Sequence, residues 1–234
     1  LLSGVSHELR SPIARIRLAL ALARSADERE RAEMFDRIEQ DTVQLDSMLE
    51  RILTVARLES GQQKPKFEQV NLKEIVGDVV DDATFEAAAT GVTIAYSSAG
   101  DIKLNGDAGL LHSAIENVVR NAMFYSGQGG HVSVLLFSSE HGANVIVRDN
   151  GSGVPEQALP LLFKPFYRVD NSRGTNTGGM GLGLAIVRNA VLAHGGTVSA
   201  HNVSPHGLEV DIFLPIKPTP AGKRSSAEVK LAQV

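Results

Sequence analysis

Apolar positions recur at helical spacing over the first sixty residues and then give way to the alternating and short-run patterns of a mixed α and β unit. In the first stretch Leu2, Val5, Leu9, Ile13, Ile16 and Leu20 form one stripe. Met34, Ile38, Leu45, Met48, Leu49, Ile52 and Val55 form a second, and Ser25-Ala26-Asp27 separates the two. Residues 1–60 therefore predict an antiparallel helical hairpin. Two helices cannot cover two apolar stripes, whereas two copies of the hairpin can, as a four-helix bundle about a two-fold axis. The alternative cover is the remainder of the same chain.

Gly61 to Lys66 is polar, carries glycine and proline and has no period, so it predicts a hinge. Beyond it the pattern predicts strands over Phe67–Val70, Val92–Tyr96, Ile102–Asn105, His131–Phe137, Asn144–Arg148, Thr197–His201 and Leu208–Leu214. Helices are predicted over Leu72–Ala89, Ala108–Tyr125 and Gly181–Ala193. This order implies an α+β fold, a mixed sheet covered by helices on one face. The expected domains are 1–60, a 61–66 linker, 67–216 and a disordered tail over 217–234, where prolines and Gly-Lys-Arg-Ser-Ser form no core pattern.

Composition narrows the function. The 234 residues carry a formal net charge of -4 and no basic run, which argues against nucleic acid as a partner. The absence of cysteine excludes disulfides and thiolate chemistry. No stretch approaches the roughly 20 apolar residues of a bilayer span. The chain opens at Leu1 directly into a helical pattern, so it is expected to be a soluble piece of a longer protein whose membrane anchor stands upstream.

Four clusters carry candidate chemistry. In Ser6-His7-Glu8-Leu9-Arg10-Ser11-Pro12, His7 offers an imidazole lone pair as nucleophile and Glu8 a carboxylate to hold the other ring N–H. Ser11 stands one turn beyond His7. Taken alone, these seven residues favour a helix that begins at Pro12 with Ser11 as N-cap and leaves His7 in a leader; a continuous helix would be kinked at Pro12. A second histidine is missing at position 11, so zinc-protease chemistry is out. Asn117 and Asn121 share a helix face and could offer carboxamide oxygens to magnesium, or form a plain solvated face. Asp149-Asn150-Gly151-Ser152-Gly153 ends an apolar strand, so Asp149 could accept from the exocyclic amino group of adenine, or the motif is an ordinary Asp-Asn-Gly turn. Gly179, Gly181 and Gly183 lead into an apolar helix, where phosphate oxygens can approach backbone N–H groups. Leu184 replaces the third glycine of a Rossmann fingerprint, and no Lys-Ser or Lys-Thr follows to make a Walker A loop. Tyr167–Thr177, with Arg168 and Arg173, reads as a lid.

In order along the chain, His7-Glu8-Leu9-Arg10-Ser11-Pro12, Asn117-x-x-x-Asn121, Asp149-x-Gly151-x-Gly153, Phe163-Lys164-Pro165-Phe166-Tyr167-Arg168 and Gly179-x-Gly181-x-Gly183-Leu184 resemble the H, N, G1, F and G2 boxes of sensor histidine kinases. The resemblance covers about residues 1–215 and implies a dimerisation and histidine-phosphotransfer bundle followed by a Bergerat-type α/β sandwich that binds ATP and Mg2+. It implies His7 as phosphoacceptor, Glu8 as its base, Ser11 as the hydroxyl that places water in the reverse reaction, and Asn121 as magnesium ligand with Asn117 beside the phosphates. Asp149 becomes the adenine anchor. Arg120, Tyr125, Gly151, Gly153, Phe166, Arg168, Gly179, Met180, Gly181, Leu182, Gly183 and Leu184 complete the implied nucleotide site. Phe124 stands where many relatives carry Lys or Arg, so Arg120 or a lid arginine is expected to supply that charge; Met180 and Ser11 each replace a threonine. The implied partners are a second copy of the chain and a response-regulator receiver domain, with the whole protein at the cytoplasmic side of the bacterial inner membrane. The rival functions are a non-catalytic nucleotide-binding scaffold and an ATPase of the gyrase, Hsp90 and MutL group. The latter places a water-activating glutamate where this chain has Asn117, and a carboxamide cannot take a proton from water.

Overall fold

A computed structural model describes residues 2–59, 65–169 and 180–216, with the side chains of residues 2–8, 51, 58 and 59 outside that description. The first stripe forms one helix, α1 (Leu2–Ala23), with Pro12 inside it. A helix beginning at Pro12 is therefore corrected. Proline removes a single backbone donor, and here its ring is buried, so the packing of Pro12 offsets the lost bond. Helix α2 (Glu28–Glu59) starts where Asp27 accepts from the Glu30 N–H at 2.8 Å. Arg31 reaches back to the Ala23 and Ala26 carbonyls and closes the turn.

The hairpin leaves much of its apolar surface uncovered. Ala19, Ala23 and Val55 are buried, yet Ile13, Leu18, Leu20, Leu22, Phe35, Val43, Leu49 and Leu53 remain between 46% and 63% exposed. So many half-exposed apolar side chains on one helix pair mark surface left unpartnered among the described residues. Arg15 joins the helices: its guanidinium contacts Asp41, Gln44 at 3.0 Å and the Ser11 hydroxyl at 3.1 Å.

The remaining elements follow in chain order: β1 (Glu68–Asn71), α3 (Leu72–Ala87), β2 (Thr93–Ser98), β3 (Lys103–Gly106), α4 (Ala108–Ser126), β4 (His131–Ser138), β5 (Gly142–Asp149), α5 (Gly183–Ala193), β6 (Thr197–Asn202) and β7 (Leu208–Pro215). β1 and β3 pair antiparallel. The other five strands form a sheet in the order β2-β4-β5-β7-β6, antiparallel except for β2 beside β4. Val132, Val134, Leu136, Val145, Val147, Val210, Ile212 and Leu214 alternate onto one face and meet α3, α4 and α5 there. A 3-10 turn over Glu156–Leu161 was not anticipated, and α5 begins at Gly183 rather than Gly181 because Gly181 holds a positive φ of 69°. Residues 61–64 of the expected linker and the expected tail at 217–234 lie outside the described residues.

His194 locks α4 against α5. It follows the C-terminus of α5, its Nδ1 donates to the Ala190 carbonyl at 2.7 Å, and its Nε2 accepts from the Asp107 N–H at 2.9 Å. Asp107 in turn caps α4 through Leu110. Nε2 must stay unprotonated to accept, and burial depresses the pKa of His194 accordingly. The unfolded chain then binds the proton more readily, so stability falls as pH drops below the ordinary histidine value of about 6.5. Urea unfolding at neutral pH and at about pH 5 should show this loss, and the loss should shrink in His194→Gln; an identical pH slope in parent and variant would contradict the assignment.

Candidate functional site

The site forms where α4, the end of β5 and the start of α5 converge. On α4, Asn117 donates from Nδ2 to the Ser113 carbonyl at 2.7 Å, and its Oδ1 faces α5. A Cβ on Gly183 would lie 2.8 Å from that Oδ1 and 3.7 Å from Nδ2 of Asn121. The backbone of α5 thus approaches both carboxamides only because position 183 lacks a side chain. Among the described residues no side chain caps α5, whereas Asn71 and Asp107 cap α3 and α4, so the first N–H groups of α5 can meet an anion.

At the end of β5 the strand alternation turns Asp149 inward, and it is 5% exposed. Its Oδ1 accepts from Gly151 N–H at 2.8 Å and Leu208 N–H at 3.2 Å, which leaves Oδ2 for a ligand. Burial pushes this carboxyl above the usual carboxylate range, and the two backbone bonds oppose the shift. Gly151 passes so close to α4 that a Cβ would meet the Tyr125 carbonyl at 2.3 Å. Gly153 takes a positive φ of 69°. Asn202 then fixes the loop by accepting from Val154 N–H at 2.9 Å and donating to its carbonyl at 2.7 Å.

Phe166 donates its N–H to the Gly181 carbonyl at 2.9 Å, joining the two ends of the segment between them, although Phe166 itself holds a φ of 65°. Gly181 is required there, since a Cβ would press on the Tyr167 carbonyl at 2.7 Å. Phe166 also packs with Met180, Leu182 and Ile186 on Met48, Ile52 and Val55 of α2. Leu184 packs into the main core. Arg120 is held by Glu86 at 2.6 Å and Glu116 at 3.1 Å. Phe124 and Tyr125 meet edge to face at 5.0 Å on the exposed end of α4. Arg168 makes no ion pair among the described residues. Gly179 and Arg173 lie outside the described residues, as do the side chains of His7 and Glu8.

The hairpin register places the histidine. Arg15 pairs with Asp41 and Gln44 across the antiparallel helices, so position 7, eight residues earlier, stands level with positions about eight residues later, 49 to 52. The apolar cluster that seats the start of α5 on α2 occupies Met48, Ile52 and Val55. The N-terminal end of α5 is therefore docked at the height of His7.

Residues 1–61 match the family described as His Kinase A (phospho-acceptor) domain, and residues 106–218 match the Histidine kinase-, DNA gyrase B-, and HSP90-like ATPase family. The structure of the mycobacterial sensor histidine kinase MprB aligns with a TM-score of 0.58 at 30% identity, over 65% of this chain and 100% of that one. The chain belongs to the sensor histidine kinase family. Among curated relatives of this family, sensor histidine kinase CpxA of Escherichia coli is 38% identical over 92% of this chain and 46% of its own length. The chain thus spans about half the length of the curated relatives it matches. Histidine kinase ThkA in complex with the response regulator TrrA shares the fold, with a TM-score of 0.70 at 21% identity over 95% of this chain and 62% of that one.

Sequence reasoning did not single out Asn202, because nothing local ties position 202 to Val154; only the adjacency of β6 to the loop does. Nor did it pair Arg120 with Glu86, 34 positions away. Asp149→Asn keeps an oxygen for the Gly151 and Leu208 N–H groups but removes the charge that burial disfavours. Its thermal midpoint at neutral pH should equal or exceed the parent's, while calorimetric binding of ATP should fall at least tenfold; undiminished binding would exclude Asp149 from base recognition.

Proposed function

We propose that the chain is the catalytic region of a sensor histidine kinase that transfers the γ-phosphoryl group of ATP to His7. The observation that carries this is the docking of the uncapped α5 terminus on α2 at the level of position 7. The imidazole nitrogen attacks phosphorus, the bond from phosphorus to the β,γ-bridging oxygen breaks, and ADP leaves with the electron pair. Glu8 accepts the other ring N–H and takes up the positive charge that develops on the imidazole. Asp149 holds the adenine amino group through Oδ2, Gly151 and Gly153 let the base approach the backbone, and the exposed Tyr125 belongs to the same nucleotide site. The α5 N–H groups, reached through Gly179, Gly181 and Gly183, receive phosphate oxygens.

Asn117 and Asn121 suit a divalent cation as hard, uncharged oxygen donors beside a phosphate cradle, and Asn121 would hold magnesium there. Magnesium, when bound, neutralises charge on the phosphates. With Phe124 apolar and Arg120 occupied by Glu86 and Glu116, Arg168 at the start of the lid supplies the remaining positive charge. The phosphoryl group then passes to an aspartate of a response-regulator receiver domain. The Ser11 hydroxyl accepts from Arg15, which leaves its own proton to orient water in the reverse reaction, so phosphatase activity toward the regulator belongs to the same helix. In this reading the chain works as a dimer on the cytoplasmic side of a bacterial inner membrane, anchored by a preceding segment of the full-length protein. The linker at 61–66 lets the ATP-binding unit (67–216) move on the bundle (1–60).

Two experiments test this reading. His7→Ala should bind ATP as the parent does and incorporate no label from γ-labelled ATP; persistent labelling would move the phosphoacceptor elsewhere, with His112 examined next. Joint replacement Leu49→Lys and Leu53→Lys puts charge on two half-exposed positions of the unpartnered face. Sedimentation should then report the 25.0 kDa chain mass in place of twice that value, and a dimer that persists would place its interface outside the hairpin.

A further inference from the structure

The face of the five-stranded sheet opposite the helices carries a charged rung that no step above uses. Ser133, Arg148, Glu209 and His201 stand opposite one another across β4, β5, β7 and β6. Asp211, two residues after Glu209, points to the same side. The Glu209 side chain is only 10% exposed, and Arg148 occupies its Oε2. Its other oxygen, Oε1, stands 2.9 Å from His201 Nε2, and Asp211 Oδ2 stands 3.3 Å from His201 Nδ1. One ligand atom from each of His201, Glu209 and Asp211 lies within 4.8 Å of the others.

An imidazole faced by a carboxylate oxygen at each nitrogen is balanced only when both nitrogens are matched by positive charge. The neutral ring has a single N–H, so its other lone pair opposes an anion. A second ring proton removes that conflict, and so does a cation at the same nitrogen, which the one carboxylate oxygen beside it and the other within 4.8 Å can close around. The arm of Arg148 acts as an outer-shell partner that orients Glu209 and keeps Oε1 turned toward the cluster.

We propose that His201, Glu209 and Asp211 form a site for a divalent transition-metal cation of zinc type, bound by one imidazole nitrogen and one oxygen from each carboxylate. A mixed nitrogen and oxygen set of three protein ligands, open to water at the fourth position, is zinc chemistry; the imidazole disfavours magnesium and calcium. The site lies on the other face of the sheet from the nucleotide cleft. The two are adjacent along the chain, because Arg148 precedes Asp149 and Glu209 follows Leu208, whose N–H holds Asp149.

Chelator-treated protein titrated with zinc in a calorimeter should bind one equivalent with micromolar or tighter affinity, undisturbed by millimolar magnesium. His201→Ala and Asp211→Asn should each weaken that binding at least tenfold, while His141→Ala, at another exposed histidine, leaves it unchanged. Retained ATP affinity in the variants verifies that the sheet is intact, and Asp211→Asn, which keeps the size of a half-exposed side chain, carries the test if the histidine variant fails to fold. Absence of zinc binding by the parent, displacement by magnesium, or equal affinity in parent and Asp211→Asn would overturn the site.

Discussion

Strict alternation along β4, β5 and β7 is the constraint on which the functional geometry rests. Val145 and Val147 point into the layer beneath α4 and α5, so Asp149, two positions further, must point the same way and arrive buried. Arg148 between them must point outward, where it meets Glu209. A shift of one position in register would exchange the two faces, placing an arginine in the core and the aspartate in solvent. The eight aliphatic residues that fill the inner face make such a shift costly, since each would leave an apolar environment at a cost of about 1.5–3 kcal/mol.

A second, smaller contact links that layer to the helical hairpin. Val55, Met180, Leu182 and Ile186 form an apolar cluster of their own, distinct from the main core. Few aliphatic side chains hold it, so parting the two units here would expose little apolar surface. Methionine suits such a joint: Met48 and Met180 are unbranched and can repack against a shifted neighbour. Met180 is thus a packing residue of this joint.

Much of this was legible in the chain because its determinants are local. The stripes of α1 and α2, the alternation of β4 and β7 and the glycines before α5 announce themselves within ten or twenty residues. The boundary of α5 was misjudged by two positions because the left-handed conformation of Gly181 depends on the close passage of Tyr167, fourteen residues away. Pro12 misleads for the opposite reason: its local rule favours a helix start, and burial against the hairpin overrides it. The roles of Asn202, His194 and Arg15 rest on contacts between elements 26 to 87 positions apart. The charged rung of His201, Glu209 and Asp211 is equally invisible to spacing, since only the pairing of β6 with β7 brings it together.

The bond from Phe166 to Gly181 separates the shape of the site from the length of the chain that runs between them. It closes a loop whose two feet are fixed by a backbone contact and by packing, independently of what lies between them. For a flexible closed loop, doubling its length adds only about 0.6 kcal/mol of closure entropy. A change of chain length between the two feet therefore leaves Phe166 bonded to Gly181 and both packed as they are, so the placement of the start of α5 does not depend on that length.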